Sequence, residues 1–388
     1  MKKTLRIYLF LALIIALGAC SEPVFYMISV EPPIAEPLIG GSPTNFSVFN
    51  KKVYVASGRN IYSYDGTSFE KIPSQPGGRI LQLAATGSYL YALCLQDSEG
   101  KIYLKRTSSS GDWEDVTGET GGYNMLQSVY AAEDRVFIGA ERNGNFIILH
   151  MTDNDAAYSP LTTGGTNDKP ESMLCGIAYD SQYYYLCTRS NKIFLMPITG
   201  GPVTANSKMK DDDAQKEDDN VKFTGIINLG NNTILAISRN GNLYNINADT
   251  DITRLQNISI GSSRYSTGSL AIWRDETDTP KLLLAGRQDS LVYAVDSGYT
   301  YGYMELELDS GGINGIKADT NFKVPGTFPS SVADYERYVS TIGKYPLGHI
   351  FQTPADIDPN MTLFASTQKN GVWSYKERDG IFQWNAEE

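Results

Sequence analysis

Histidine is scarce in this sequence: His150 and His349 are the only two among 388 residues. Zinc sites and Ser-His-Asp triads both depend on imidazole groups, so the chain offers little for either. We therefore predict no metal, no cofactor and no assignable catalytic residue. Aspartate and glutamate are abundant, however, and a carboxylate pair that hydrolyses glycosides cannot be recognised in a sequence, because its separation is not visible there.

Cysteine is scarce as well, and no pair of cysteines has a spacing typical of a metal site. The four residues are Cys20, Cys94, Cys175 and Cys187. Cys175 and Cys187 flank a predicted hairpin centred near Ser181, which places them opposite each other on neighbouring strands. Two interpretations stay open: a disulfide between the strands, or two buried thiols that pack as small apolar side chains.

Long apolar runs are missing from the chain except for one near its beginning. Ile7 to Leu17 is an apolar run of 11 residues that follows the cations Lys2, Lys3 and Arg6. A membrane-spanning helix needs about 20 residues, whereas a run of this length behind a basic segment is typical of a signal peptide. The sequence therefore predicts export.

The run ends in Leu17-Gly18-Ala19-Cys20, which resembles the lipobox of bacterial lipoproteins. The resemblance implies that the Cys20 thiol receives a diacylglyceryl group, that the chain is cut before this residue, and that the new amine is acylated. It also implies attachment to a bilayer without a spanning helix. Ser21 after the cysteine favours the outer membrane. We expect residues 1–19 to be the signal and the proline-rich residues 20–44 to be a tether.

Positive charge is in deficit, with 33 Lys and Arg against 44 Asp and Glu and a net charge of −11. Removal of the three cations in the predicted signal makes the mature protein more acidic. An acidic protein is a poor partner for nucleic acid and for the surface of an anionic membrane. We therefore predict no nucleic-acid partner, and membrane contact through the lipid alone.

Helix signals are nearly absent, and an apolar hairpin pattern recurs seven times instead. Apart from the last, successive hairpins begin 37 to 50 residues apart, which is close to the period of propeller repeats. The pattern predicts another apolar strand before each hairpin and a short fourth strand after each, behind a polar turn. The hairpins are VYVASGRNIYSYDGTSFEKI from Val53, LYALCLQDSEGKIYLKR from Leu90, VFIGAERNGNFIILHM from Val136, YYLCTRSNKIFLMPI from Tyr184, ILAISRNGNLYNIN from Ile234, LLLAGRQDSLVYAVD from Leu282 and LFASTQKNGVWSYK from Leu363.

Four strands per unit and seven units predict an all-β, seven-bladed β-propeller over residues 45–388. A four-stranded blade that is apolar on both faces must lie between neighbours, and circular repetition leaves only short edges. Asn143-Gly144, Asn240-Gly241 and Asn370-Gly371 suit the positive φ values of tight hairpin turns. Phrases such as VYVASGRNIYSYDG and GVWSYKERDGIFQW resemble kelch and regulator-type repeats, and together with the lipobox they resemble the bacterial β-propeller lipoproteins.

Two insertions interrupt the repeat. Residues 208–220, KMKDDDAQKEDDN, are charged and without apolar periodicity, which predicts a solvated loop. A loose divalent-cation site is the alternative interpretation.

The second insertion, 309–345, contains a helical pattern in SSVADYERYVSTIG. Val332, Tyr335, Val339 and Ile342 share one helical face, and Gly343 can end the helix. We predict one short helix packed on the propeller, and the alternative is a degenerate eighth blade.

Cations occupy near-equivalent positions beside the hairpin turns of six units. They are Arg59, Arg142, Arg189, Arg239, Arg287 and Lys369, and we call them the candidate anion-binding rim. Each cation could cap its own blade or pair with a carboxylate of the neighbouring blade. The other interpretation is a ring that holds an anionic glycan, a phosphate or an acidic partner segment.

From these patterns we predict a lipid-anchored lipoprotein of the bacterial cell envelope, attached to the outer membrane. Its propeller would act as a binding or scaffolding module for a protein or glycan partner. The alternative is a propeller enzyme that acts on glycans through carboxylates in its central channel.

Overall fold

Most of the chain from residue 38 onward is described in the computed structural model. The described residues are 38–109, 111–120, 125–155, 157–161, 173–179, 183–188, 193–199, 204–206, 209–210, 223–230, 233–238, 242–246, 252–259, 269–274, 280–286, 302–307, 342, 347–378 and 381–387. The predicted signal, Cys20 and the first part of the tether lie outside them and belong to a separate unit, Met1–Glu36 with Glu388.

Within Pro37–Glu387, five antiparallel sheets have the predicted four strands each. Blade 1 comprises β1 Ser47–Phe49, β2 Lys52–Ser57, β3 Asn60–Tyr64 and β4 Phe69–Lys71; blade 2 comprises β5 Arg79–Ala85, β6 Leu90–Gln96, β7 Lys101–Thr107 and β8 Trp113–Asp115; blade 3 comprises β9 Met125–Ala132, β10 Arg135–Arg142, β11 Asn145–Thr152 and β12 Ser159–Pro160; blade 4 comprises β13 Met173–Tyr179, β14 Tyr183–Thr188, β15 Ile193–Pro197 and β16 Thr204–Asn206. The last blade comprises β25 Leu347–Gln352, β26 Leu363–Thr367, β27 Val372–Arg378 and β28 Ile381–Ala386.

Two further sheets depart from the four-stranded plan. One has five strands, β17 Met209–Lys210, β18 Phe223–Gly230, β19 Thr233–Ser238, β20 Asn242–Ile246 and β21 Ile252–Ser259; the other has three, β22 Leu270–Arg274, β23 Pro280–Gly286 and β24 Gly302–Glu307. The prediction of seven four-stranded blades is therefore wrong: the structure has a propeller fold with five such blades.

Both departures have a cause in strand pairing. β17 comes from the insertion that we predicted to be a solvated loop, and it adds to β21 in parallel. The hairpin predicted from Leu282 is wrong in its second strand, because β23 lies between β22 and β24, with Leu282 opposite Leu306 and Leu284 opposite Met304. The predicted partner segment, 291–296, lies outside the described residues. The other six predicted hairpins are confirmed.

The first strands of successive sheets lie side by side, from β1 through β5, β9, β13, β18 and β22 to β25. Buried apolar clusters fill the spaces between neighbouring sheets, as expected for blades that are apolar on both faces. Asn143 and Gly144 have φ values of 53° and 76°, and Arg142 pairs with Asn145, so this two-residue turn is confirmed.

The first and last blades meet through an aromatic cluster. The ring of Phe364 on β26 lies 4.9 Å from that of Tyr64, 5.1 Å from that of Phe69 and 6.1 Å from that of Phe46. These contacts join strands from the two ends of the described chain. Burial of the four rings therefore holds blade 1 against the last blade.

A buried carboxylate supports the same junction. The Tyr64 hydroxyl donates to Asp358 Oδ2 at 3.0 Å, and Asp358 also accepts from the backbone N–H groups of Asn360 at 2.9 Å and Thr362 at 3.2 Å. Burial, and then the negative charge of Asp358, raises the pKa of Tyr64 above its usual value of 10. The phenol consequently stays a neutral donor to this carboxylate.

Part of the predicted tether packs on the last blade. The N–H of Leu38 donates to Glu387 O at 2.6 Å, the N–H of Val372 donates to Ile39 O at 3.1 Å, and Gly41 forms a parallel bridge with Asn370. Ile39 is fully buried. The chain therefore crosses the end of the last blade before it enters β1.

Little helix is present among the described residues, and no helix there is long and apolar enough to cross a membrane. The helix predicted from Ser330 lies outside these residues apart from Ile342. Ile342 is 1% exposed and packs in the cluster that contains Trp273 and Trp373.

Candidate binding site at the channel mouth

The candidate rim lies at one end of the sheets. Because neighbouring strands are antiparallel, the turn between the second and third strands of a blade lies at the same end as the beginning of the next first strand. A hydrogen bond shows this arrangement, since the N–H of Ile80 at the start of β5 donates to Gly58 O in the β2–β3 turn at 2.8 Å. We call this end the mouth end.

One member of the rim pairs with a carboxylate of the neighbouring blade. Arg59 Nη2 lies 2.9 Å from Asp97 Oδ2, and the two side chains are 68% and 46% exposed. An exposed pair of this kind contributes little stability. Arg59 therefore behaves as the capping interpretation expects.

The remaining members do not establish a ring. Arg142 ends β10, and Lys369 is an exposed residue in the turn before Asn370. Arg189, Arg239 and Arg287 lie outside the described residues. The anion-binding rim thus stays a prediction.

A cavity of about 640 Å³ opens at the mouth end between the last blade, blade 1 and blade 2. Its lining residues are Gly41, Ser42, Pro43, Thr44, Ser57, Gly58, Arg79, Ile80, Leu81, Gly348, His349, Thr367 and Gln368. We call it the mouth cavity. Its volume lies within the range of small-ligand sites.

β-Bulges shape this cavity. The register of β5 shifts between Ile80 and Gln82, and that of β25 shifts between Leu347 and His349. A bulge adds a residue to one strand and re-aims its side chain. Leu81, the added residue of β5, is accordingly 37% exposed at the cavity.

A second cavity, of about 400 Å³, lies deeper among the first strands. It is lined by Asn45, Phe46, Ser47, Val48, Gln82, Leu83, Ala84, Ala85, Val129, Tyr130, Ala131, Gly176 and His349. We call it the channel cavity. His349 lines both cavities, so they meet at this side chain.

At three of the junctions, a side chain at an equivalent position bonds to the backbone of the next first strand. Asn45 Nδ2 donates to Leu83 O at 2.7 Å, and the N–H of Leu83 donates to Asn45 Oδ1 at 3.0 Å. The N–H of Val129 donates in the same way to Gln82 Oε1 at 3.1 Å. These bonds satisfy backbone groups at the channel wall, where a first strand has no further strand beside it.

The same contact recurs before the last blade. The N–H of Ile350 donates to Ser269 Oγ at 3.0 Å. An asparagine, a glutamine and a serine thus make the same kind of contact. Because no common residue type marks these positions, they could not be recognised in the sequence. They stiffen the wall of the channel cavity.

Among the described lining residues of the two cavities, Arg79 is the one side chain with a permanent charge. Neither cavity has an aspartate or glutamate among its described lining residues, whereas Arg79 and His349 line the mouth cavity. The carboxylate pair required by the enzyme alternative is therefore not found in the described part of this site. The arrangement suits a neutral or anionic ligand.

None of the described cysteines, Cys94, Cys175 and Cys187, lines the mouth cavity. Cys175 lies opposite Cys187 in the register of β13 and β14, which confirms the predicted placement. Burial raises the pKa of the Cys94 thiol to about 12, so this residue stays protonated and unreactive.

The other histidine, His150, is half-buried beside a cation. Arg135 is 7% exposed, its Nη1 lies 2.8 Å from His150 Nδ1, and its Nη2 donates to Ile198 O at 3.3 Å. The guanidinium is always protonated, so it donates and the imidazole accepts. Burial, and then the charge of Arg135, lowers the pKa of His150 to about 4.

This histidine should make the protein sensitive to acid. In the unfolded chain its pKa is about 6.5, so the unfolded state binds more protons as the pH falls from about 7 towards 4, and stability is lost over that window. His150→Gln should show a smaller fall in Tm than the unchanged protein between pH 7 and pH 5. Equal falls in the two proteins would contradict the prediction.

Comparison with known proteins supports the fold. No family model matches the chain, and no curated protein sequence matches it. Among solved structures, the chain is similar to the extracellular domain of BT4673 from B. thetaiotaomicron, assigned to the hybrid two component systems, with a TM-score of 0.53 and 12% identity over 88% of this chain and 38% of that chain. The extracellular domain of BT3049 from the same organism, assigned likewise, gives 0.53 and 11% over 86% and 39%.

YCF48 from Cyanidioschyzon merolae is similar over nearly its whole length. Its TM-score is 0.51, with 11% identity over 86% of this chain and 95% of that chain. The chain thus spans less than half of the two extracellular domains and almost all of YCF48. At these identities the likeness shows the propeller fold alone.

Proposed function

We propose that this protein is a lipid-anchored binding module of the bacterial cell envelope, whose propeller takes a protein or glycan partner at the mouth cavity. The observation that carries the proposal is the mouth cavity itself. It combines the exposed apolar side chain of Leu81 with Arg79 and His349 and with backbone groups, on a protein of net charge −11.

The chemistry of the lining favours an anionic segment of the partner. Arg79 is exposed and can make charge-assisted hydrogen bonds to carboxylate or phosphate oxygens. Leu81 supplies apolar contact beside it, and the first strands beneath are held in place by the bonds from Asn45 and Gln82. A rigid wall lowers the entropic cost of ordering a site on binding.

The fold comparison is consistent with a role outside the cytoplasm. The extracellular domains of BT4673 and BT3049 share the propeller fold. Together with the lipobox-like Leu17-Gly18-Ala19-Cys20, this likeness supports a place in the envelope.

Site-specific photo-crosslinking in intact cells tests the proposal. A benzophenone amino acid at Leu81 should give a discrete crosslinked adduct. The same group at Thr67, an exposed residue of the β3–β4 turn at the other end of blade 1, is the matched control and should give none. Combining the Leu81 probe with Arg79→Glu should abolish the adduct.

Two results would overturn the proposal. One is the absence of any adduct from Leu81 in a protein that is folded and correctly located. The other is an adduct of the same mass and yield from Thr67, which would indicate random collision.

A further inference from the structure

A separate cleft lies between blades 1 and 2, at the end of the sheets opposite the mouth. Its volume is about 350 Å³. Its lining includes Phe49 and Asn50 at the β1–β2 turn and Ser108 and Gly111 at the β7–β8 turn, which places it at that opposite end. We call it the side cleft.

Two rows of side chains form its walls, as the strand registers show. On blade 1, Tyr54 lies opposite Ser63, and Ser63 opposite Glu70. On blade 2, Leu90 lies opposite Thr107, and Thr107 opposite Trp113. All six residues line the cleft. Each wall thus carries one aromatic side chain beside a hydroxyl-bearing residue, Ser63 next to Tyr54 and Thr107 next to Trp113.

The aromatic side chains are fixed from behind. Tyr54 and Trp113 are half-buried and pack against the cluster of Ala56, Ile61, Ile80, Leu83, Ala92 and Cys94. Trp113 Nε1 donates to Ser74 O at 3.1 Å, so the one polar group of the indole is already bonded. What the indole can offer an occupant of the cleft is therefore its ring surface.

On blade 1 a serine lies between the aromatic side chain of Tyr54 and the charged side chain of Glu70. Ser63 is 9% exposed and lines the cleft, and its hydroxyl has no hydrogen-bond partner among the described residues. A serine hydroxyl that lines a cleft can both donate and accept hydrogen bonds to a molecule in the cleft. A ligand that carries hydroxyl groups of its own can form such bonds.

The charged side chains that line the side cleft restrict the kind of ligand that it can bind. Lys52, Lys71 and Glu70 line the cleft, so cations outnumber anions and a cationic ligand is disfavoured. A purely apolar ligand would leave Ser63 and these charges unsatisfied. A sugar ring offers C–H groups to an aromatic face, whose centre is electron-rich, and hydroxyl groups to the polar side chains.

We propose that the side cleft binds one pyranose ring of a saccharide, between Tyr54 and Trp113, with a sugar hydroxyl bonded to Ser63. The cleft has room for a ring of this size and lies at the other end of the sheets from Arg79 and Leu81. This inference is independent of the function assigned to the mouth cavity.

A glycan array probed with the full-length protein in detergent tests the inference. The array carries glycans ending in neutral hexoses, N-acetylhexosamines and uronic acids. We expect saturable binding to at least one class, followed by titration with the methyl glycoside of that class. Ser63→Ala, which removes only the hydroxyl, should weaken binding about five- to tenfold, as expected for the loss of one hydrogen bond.

Two further variants complete the design. Trp113→Ala should abolish binding of the glycoside. If Trp113→Ala does not fold, the affinity of Ser63→Ala for the glycoside tests the inference instead. Arg79→Glu should bind the glycoside as tightly as the unchanged protein. The inference fails if the folded protein binds no glycan on the array, if Ser63→Ala binds normally, or if Arg79→Glu loses binding, which would place the sugar at the mouth cavity instead.

Discussion

Replacing Phe364 with alanine should lower the free energy of unfolding by about 3–5 kcal/mol, the range for a fully buried phenylalanine. The Phe364 side chain on β26 of the last blade is 1% exposed, and its ring contacts three rings on the blade 1 side of the junction. Its truncation leaves a cavity at the junction that joins the two ends of the propeller. Urea denaturation followed by tryptophan fluorescence measures the change.

Phe137→Ala is the matched control for this variant. Phe137 is fully buried, and its ring lies 5.0 Å from that of Tyr184 at the junction of blades 3 and 4. Both truncations should destabilise the protein by a similar amount. Only Phe364→Ala should speed amide hydrogen exchange in residues 38–46, because only that junction holds the segment. A loss below about 1 kcal/mol, or equal exchange in both variants, would contradict the argument.

This junction is expected to be the weak point because it is the least local contact in the fold. Tyr64 and Asp358 are 294 residues apart in the chain. Bringing such distant segments together costs loop-closure entropy before any contact repays it. Aromatic burial, the Tyr64–Asp358 bond and the packing of Ile39 must together offset that cost.

The blade plan was predictable from the sequence wherever both strands of a hairpin are close in the chain. Period-2 apolar patterns and the Asn143-Gly144 turn specify such pairs locally. The pairing of β23 was not predicted, because LVYAVD is nearer in the chain and is a continuous apolar run, whereas the strand that pairs is in YMELEL, further along the chain. Residues 20–44 are rich in proline and were therefore predicted to be a tether. The burial of Ile39 in the core was for this reason not predicted.

The site was harder to predict than the fold. The exposure of Leu81 follows from a bulge, and a bulge depends on how two strands pair rather than on residue type. Asn45 and Gln82 share a strand position but differ in side-chain length, so no motif marks them. The pairing of Arg59 with Asp97 agrees with one of the two interpretations of the rim cations, in which each pairs with a carboxylate of the neighbouring blade.

Loss of the Cys20 thiol should move the protein from the membrane to the soluble fraction. The experiment exchanges residues 1–19 for a signal peptide that is cut without lipidation and combines this exchange with Cys20→Ser. Each buried methylene of an acyl chain contributes about 0.8 kcal/mol, so several chains hold a protein on a bilayer and their loss leaves no comparable attachment. Ultracentrifugation of lysed cells and the mass of the N-terminal peptide measure the outcome.

Cys94→Ser with the native leader is the matched control for the thiol. Cys94 is buried, so its replacement should leave the protein in the membrane fraction and leave the N-terminal peptide with its lipid mass. An acidic protein is repelled by an anionic bilayer, so electrostatic attachment cannot substitute for the acyl chains. Retention of the Cys20→Ser protein on membranes washed with high salt would therefore refute the lipid anchor, whereas retention that salt reverses would point to a membrane-bound partner of the propeller.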